Sequence, residues 1–405
     1  MTATTARTSE YIEALAELAV HFGANVQPDQ IVSISSEPGK EPLARAIAES
    51  AYRAGARFVD LSVFDMHLKR ARALYADPAT LTFVPPWYGQ RALALGECRA
   101  AMIALTGPAA PRLMADVEPA LAARDMLPSL RESIVVVNQR TVNWSIVPCA
   151  VPGWAELVFP ELEPAAALER LWREIAHVCR LDEPDPVSAW EQRLALLSEV
   201  EGKLNQLDLD ELRFHGPGTD LTVGLLRGSR WLSGSMETSS GIVHHPNLPT
   251  EEVFTTPDPE RVQGVVRATK PLFTSGRLVL GLEVTFERGR AVKISAEEGA
   301  ETLRGLTERD PGAARLGEVA LVDGESRIGQ LKTVFYETLL DENAASHIAL
   351  GQAYPIGVSE DGDTARINGS EIHIDFMIGS NEVSVSGVTR DGRELALLEG
   401  GAWQV

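Results

Sequence analysis

Apolar and polar positions follow one rhythm in the first half of this chain and another in the second. Early on, short apolar runs alternate with helical periodicity: a helix over 8–22, a strand at IVSISS (31–36), a helix at PLARAIAESAYRAG (42–55) and a strand at RFVDLSVF (57–64). That order predicts a βαβ unit, and Pro42 near the start of its helix with Gly55 at the end is the asymmetry expected of helix termini. RAAMIALTG (99–107) and SIVVVNQ (133–139) read as further strands of the same sheet. Helical patterns over 163–180 and 187–206, separated by LDEPDP (181–186), form a bridge whose Glu169, Arg170, Arg173 and Glu174 make a solvated face. After Leu207 the runs RFHGPGTDLTVGL (213–225), RLVLGLEVTFERGRAVKISA (277–296) and NEVSVSGVTRDGRELALL (381–398) are β-rich, with turns at Arg288-Gly289 and Asp391-Gly392. The expected architecture is an α/β N-terminal domain with its helical bridge over 1–206, followed by a mixed α+β, β-rich C-terminal domain over 207–405.

One of those β-rich stretches carries chemistry. In EIHIDFMIGS (371–380), Ile372, Ile374, Phe376 and Ile378 alternate with Glu371, His373, Asp375 and Met377. His373 and Asp375 therefore share the face opposite the apolar one, and an imidazole and a carboxylate so placed either converge on a cation or pair with each other on a solvated face. Upstream stand Glu342 and His347, and acidic positions in PNLPTEEVF (246–254) and RLGEVAL (315–321). Each has a plainer alternative. Glu251 and Glu252 after Thr250 also suit a helix start. Glu318 in its apolar stretch is either on an exposed strand face or buried with a cation. Glu342 and His347, five apart, would face away from each other on a continuous helix, so they share a centre only if the chain turns between them. Four carboxylates and two histidines exceed what one tetrahedral zinc requires and suit a dinuclear hydrolytic site.

Composition narrows the field. With 405 residues, 44% hydrophobic and 23% charged, the chain is long enough for two globular domains, and no apolar stretch is long enough to span a bilayer. MTATTARTSE leads straight into an amphipathic helix without the apolar core of a secretory signal, so the cytoplasm is the expected compartment. A net charge of −20 disfavours a nucleic-acid partner. Cys98, Cys149 and Cys179 are odd in number and widely spaced, which excludes a disulfide framework or a thiolate zinc site and suggests small buried hydrophobes. SSEPGKEP (35–42) lacks phosphate-loop spacing, and no G-x-S-x-G elbow marks a serine hydrolase. The adjacent His244 and His245 point to opposite sides of an extended run and cannot easily share an ion; a place in a substrate cleft or behind the ligands is open to them.

The succession PNLPTEEVF, AEEGAETL (296–303), RLGEVALVD (315–323), LLDENAASHIALGQAY (339–354) and HIDFMIGS (373–380) resembles the M29 peptidases, the thermophilic aminopeptidase T family. YIEALAELAVHFGANVQPDQIVSI and PLARAIAESAYRAGARFVDL resemble that family's non-catalytic domain, so nearly the whole chain is covered. The resemblance implies a metal-dependent aminopeptidase acting on small peptides with a free N-terminus, its catalytic domain at 207–405, and a homodimer. It implies Glu252, Glu318, Glu342, His347, His373 and Asp375 as ligands of two divalent ions (zinc, cobalt, manganese or magnesium) that activate a hydroxide. Tyr354, seven residues beyond His347 and otherwise a packed aromatic, would stabilise the oxyanion. Two rivals stand beside it: a mononuclear non-haem iron oxygenase using His347, His373 and one carboxylate, and a non-catalytic metal or peptide binder on the same scaffold.

Overall fold

A computed structural model of the protein describes residues 3–125, 127–128 and 131–405. The chain divides into two compact units, Met1–Gln192 with Gly234–Thr250, and Arg193–Ser233 with Glu251–Val405. Residues 193–206, the larger part of the helix Pro186–Gln206, thus group with the second unit, and 234–250 with the first.

The first unit is built on four parallel strands in the order Phe58–Val63, Ile31–Ser36, Ala101–Thr106, Asn143–Pro148. Val32 and Ile34 are fully buried, and the helix Glu41–Arg53 that links the first two strands lays Leu43, Ile47 and Ala51 into the same core, as a parallel crossover requires. SIVVVNQ is not a strand. It lies in the helix Arg131–Asn138, and the fourth strand is NWSIVP, Asn143–Pro148. β-branched residues favour strands only weakly against packing. Within the helix Val136 alone is buried, as one stripe of a helix surface, whereas Asn143, Ser145 and Val147 bury alternate positions of the true strand. Cys149 and Cys179 are buried as expected, but Cys98, just past the helix Pro86–Glu97, is exposed; all three are free.

The second unit holds an eight-stranded antiparallel sheet, in the order Arg290–Ser295, Glu283–Glu287, Pro257–Arg267, Thr219–Leu225, Leu209–Gly216, Ser384–Thr389, Glu394–Glu399, Ala402–Trp403. Two of its hairpins turn at Arg288-Gly289 and at Asp391-Gly392, where Gly289 (φ 78°) and Gly392 (φ 88°) supply the left-handed backbone. A second sheet of four antiparallel strands runs in the order His373–Met377, His347–Gly351, Leu316–Val322, Glu252–Thr255. One face of it is apolar, with Val253, Val319, Leu321, Ile348, Leu350, Ile374 and Phe376 all buried. The other face is where the charged residues stand. Among the described residues no helix is long and apolar enough to cross a membrane.

Candidate metal centre

Strand alternation places His373 and Asp375 on one face, and the ring Nε2 of the first lies 3.3 Å from Oδ1 of the second. Register brings the others beside them. Glu318 and Asp375 both pair with Ala349, His347 pairs with Ala320, and Glu252 pairs with Val322. Directly opposed residues point to the same side, so five charged side chains rise from one face over a floor of alanine methyls.

Glu318 reaches that face through an irregularity. Leu316 pairs with Leu350 but Glu318 pairs with Ala349, so the strand gains a residue at Gly317. Regular pairing would set Glu318 against Ile348, in the apolar face; the bulge turns its carboxylate to the other side. Only glycine fits there, because a Cβ at Gly317 would fall 2.4 Å from the carbonyl oxygens of both Gly351 and Gln352. Glu342 arrives from a short helix, Thr338–Glu342, that stops at Asn343 before the next strand begins at His347. The turn between them removes the conflict that a continuous helix would create.

The ring hydrogen bonds fix the tautomers. His347 Nδ1 lies 3.0 Å from Glu342 O and His373 Nδ1 lies 2.7 Å from Gln352 O. A carbonyl only accepts, so each Nδ1 carries hydrogen. In the neutral rings Nε2 is then a lone pair facing carboxylates: His347 Nε2 is 3.0 Å from Glu252 and 3.7 Å from Glu318, and His373 Nε2 is 3.5 Å from Glu318. Lone pairs and carboxylates repel unless a cation stands between them. Glu252 Oε2 and Asp375 Oδ1 are buried with no hydrogen-bond donor besides these ring nitrogens, 3.0 Å from His347 Nε2 and 3.3 Å from His373 Nε2, so each pair closes either on a shared proton or on an ion.

The ionisation equilibria carry the same message. Burial alone would lower the His347 imidazolium, yet Glu252 and Glu318 hold it well above its ordinary range. Burial is likewise overridden at His373, which Asp375 and Glu318 push up to about 10. Burial raises the Glu318 carboxyl, and burial with the Asp375 and Glu252 charges raises Glu342 well above the usual range. At Asp375 burial is outweighed by the His373 charge, which holds the carboxyl low. Four buried carboxylates around two imidazoles form a field that demands positive charge.

Three overlapping groups follow, Glu252 with Glu318 and His347, Glu318 with His373 and Asp375, and Glu342 with His347 and Asp375, each with candidate ligand atoms within 4.8 Å of one another. Tyr354 stands at the rim, its ring centroid 5.3 Å from that of His373 and 6.2 Å from that of Phe254. Burial and then the Glu318, Asp375, Glu342 and Glu252 charges raise its phenol well above the ordinary range, so it keeps its proton at neutral pH. His244 and His245 join none of these groups. They belong to the first unit, where His245 stacks on Phe22 at 4.0 Å and His244 lies beside Trp144.

The sequence pattern of the thermophilic metalloprotease (M29) family matches residues 8–403 of this chain. The chain belongs to the M29 family. It is similar to aminopeptidase T of Thermus thermophilus, with 42% identity over 97% of this chain and 98% of that protein. Aminopeptidase 2 of Geobacillus stearothermophilus is 36% identical over 98% of both. The solved structure of wild-type AmpT from Thermus thermophilus superposes with a TM-score of 0.86 at 40% identity, covering 98% of this chain and 99% of that one.

Behind the charged face of this M29 peptidase lies a buried ion network that no sequence motif marked. Arg193 Nε donates to Glu251 at 2.6 Å, and its terminal nitrogens grip Asp323 at 2.8 and 3.2 Å. Trp403 Nε1 adds a donor to Asp323 at 2.7 Å. Glu251 precedes Glu252 and Asp323 follows Val322, so one guanidinium ties together the two strands at the register pair carrying Glu252. This also separates the two adjacent glutamates, since Glu251 is committed to Arg193 while Glu252 faces His347. Arg193→Met would leave Glu251 and Asp323 buried without their cation, and is expected to cost roughly 3–5 kcal/mol. Denaturant unfolding of the metal-free protein measures it, and a loss below about 1 kcal/mol, the worth of a surface pair, would show the network to be solvated.

Proposed function

We propose that this M29 chain is a metal-dependent aminopeptidase that releases amino acids from the free N-terminus of small peptides, with two divalent ions held by Glu252, Glu318, Glu342, His347, His373 and Asp375. The observation that carries it is the convergence of four buried carboxylates and two imidazoles, each anchored through Nδ1, in three overlapping groups. Glu318, His347 and Asp375 each belong to two of those groups, which favours a pair of ions over one. Bound divalent ions supply an acidified water and polarise a carbonyl. The protein's own part is to hold the charge and orient the substrate. The four carboxylates balance the charge of two divalent ions, and the Tyr354 phenol donates a hydrogen bond to the oxygen on which charge develops. A donor set of this kind accepts zinc, cobalt, manganese or magnesium.

The iron-oxygenase alternative needs two histidines and a carboxylate at one centre, but none of the three groups contains both His347 and His373. The homodimer implied by the family resemblance belongs to the same proposal; Phe58, Leu61 and Val63, exposed on the edge strand of the first unit, are surface suited to a second copy.

Metal-reconstituted protein incubated with a free peptide and its N-acetylated twin should shorten only the free one, residue by residue, with about two ions per chain. Chelator should stop the reaction and added metal restore it. Cleavage of both peptides alike, seen by mass spectrometry, would point to an endopeptidase instead.

A further inference from the structure

We infer that Asn343 is the positioning residue that fixes Glu342 by tying it to the strand carrying Glu252, an inference that rests on the metal-centre proposal above. Glu252, Glu318, His347, His373 and Asp375 are carried by the four-stranded sheet, whereas Glu342 is the last residue of the five-residue helix Thr338–Glu342. A helix so short has little rigidity of its own. What holds it is the carboxamide of the next residue.

Asn343 is fully buried. Its Oδ1 accepts from the Glu251 backbone N–H at 2.6 Å, while Nδ2 donates to Leu339 O at 2.9 Å and lies 3.5 Å from Glu342 Oε1. Only this orientation of the amide is satisfied; a flipped one would set NH2 against N–H and oxygen against two acceptors. The bond to Leu339 O serves one of the last four carbonyls of the helix. The Asn343 carbonyl in turn accepts from Ser326 Oγ at 2.6 Å, and the Glu342 carbonyl accepts from His347 Nδ1 at 3.0 Å. Glu342 is therefore held on one side by the ring of a proposed ligand and on the other by an amide bonded to the residue before another. Asn343 acts through Glu342.

A double-mutant cycle on metal affinity tests this. Full-length protein stripped by chelator is titrated with cobalt(II) against a chromophoric competitor, as wild type, Asn343→Ala, Glu342→Gln and the double variant. Asn343→Ala should weaken one ion by about 10- to 100-fold, Glu342→Gln should weaken the same ion, and the double variant should bind no worse than Glu342→Gln alone. Asn343→Leu is close in size, uncharged and lacks both the acceptor for the Glu251 N–H and the donor; it takes the same place in the cycle if the alanine variant does not fold. Additive losses would make Asn343 general scaffolding and overturn the proposal, as would wild-type affinity in either variant. A wild-type protein that takes up no cobalt would overturn the metal-centre proposal itself.

Discussion

Asp375→Asn is expected to give a folded protein that neither keeps its metal nor releases amino acids. The exchange is isosteric and preserves an oxygen, so what is lost is charge. At a separation of about 4 Å and an effective dielectric near 20, one unit charge against a divalent ion is worth on the order of 8 kcal/mol before desolvation is counted. Even a fraction of that spans several decades of affinity. Asp375 belongs to two of the three groups, so under the two-ion proposal its loss reaches both ions where a peripheral ligand would reach one. His373, whose imidazole Asp375 faces at 3.3 Å, also loses the partner that most strongly favours its charge. Turnover should fall by about a thousandfold or more, because the contribution of metal to such a barrier is several kcal/mol. Elemental analysis and peptide release are measured on one sample, with far-UV circular dichroism showing the fold. A variant with full metal and unchanged kcat would remove Asp375 from the ligand set. His347→Ala, at another position shared by two of the groups, should behave alike.

How far the site could be read from sequence depends on whether the deciding contact was local. H-I-D was legible because strand alternation is enough to bring residues two apart to one face, and the structure places His373 and Asp375 so. Glu318 was harder. In L-G-E-V the carboxylate faces the site only because the strand bulges at Gly317, and the carbonyls of 351 and 352, far along the chain, leave room there for glycine alone. Residue type alone does not separate Glu251 from Glu252, which only the family resemblance distinguishes; in the fold Arg193, some sixty residues away, claims the first. In the fold, the βαβ start was legible because apolar runs and helix termini are local signals. SIVVVNQ misled because four β-branched residues suit either a strand or a helix with one buried stripe, and tertiary packing chose the helix. Exposed Cys98 is similar: nothing in its neighbours says that the helix end beside it faces solvent.

Tyr354→Phe should separate chemistry from metal binding. The phenol stands beside His373 and Phe254 on the charged side of the four-stranded sheet, at the N-terminal edge of the turn Pro355–Gly357. The turn is anchored independently of its hydroxyl, since Thr256 Oγ1 donates to the Tyr354 carbonyl at 2.9 Å and the Arg230 N–H to Gly357 O at 2.8 Å. Removing the hydroxyl therefore leaves the ring, the turn and the six proposed ligands in place. Because burial and the surrounding carboxylates hold the phenol well above its ordinary range, it is a poor base at neutral pH and a competent hydrogen-bond donor. A donor aimed at developing negative charge contributes about a hundredfold to a thousandfold to kcat. A group that acts only at the transition state lowers kcat and kcat/KM together and leaves KM alone. The expected result is that split, with metal content equal to wild type. If Tyr354→Phe instead lost metal, the hydroxyl would belong to the ion's surroundings; if KM rose with kcat unchanged, it would be binding the peptide before reaction.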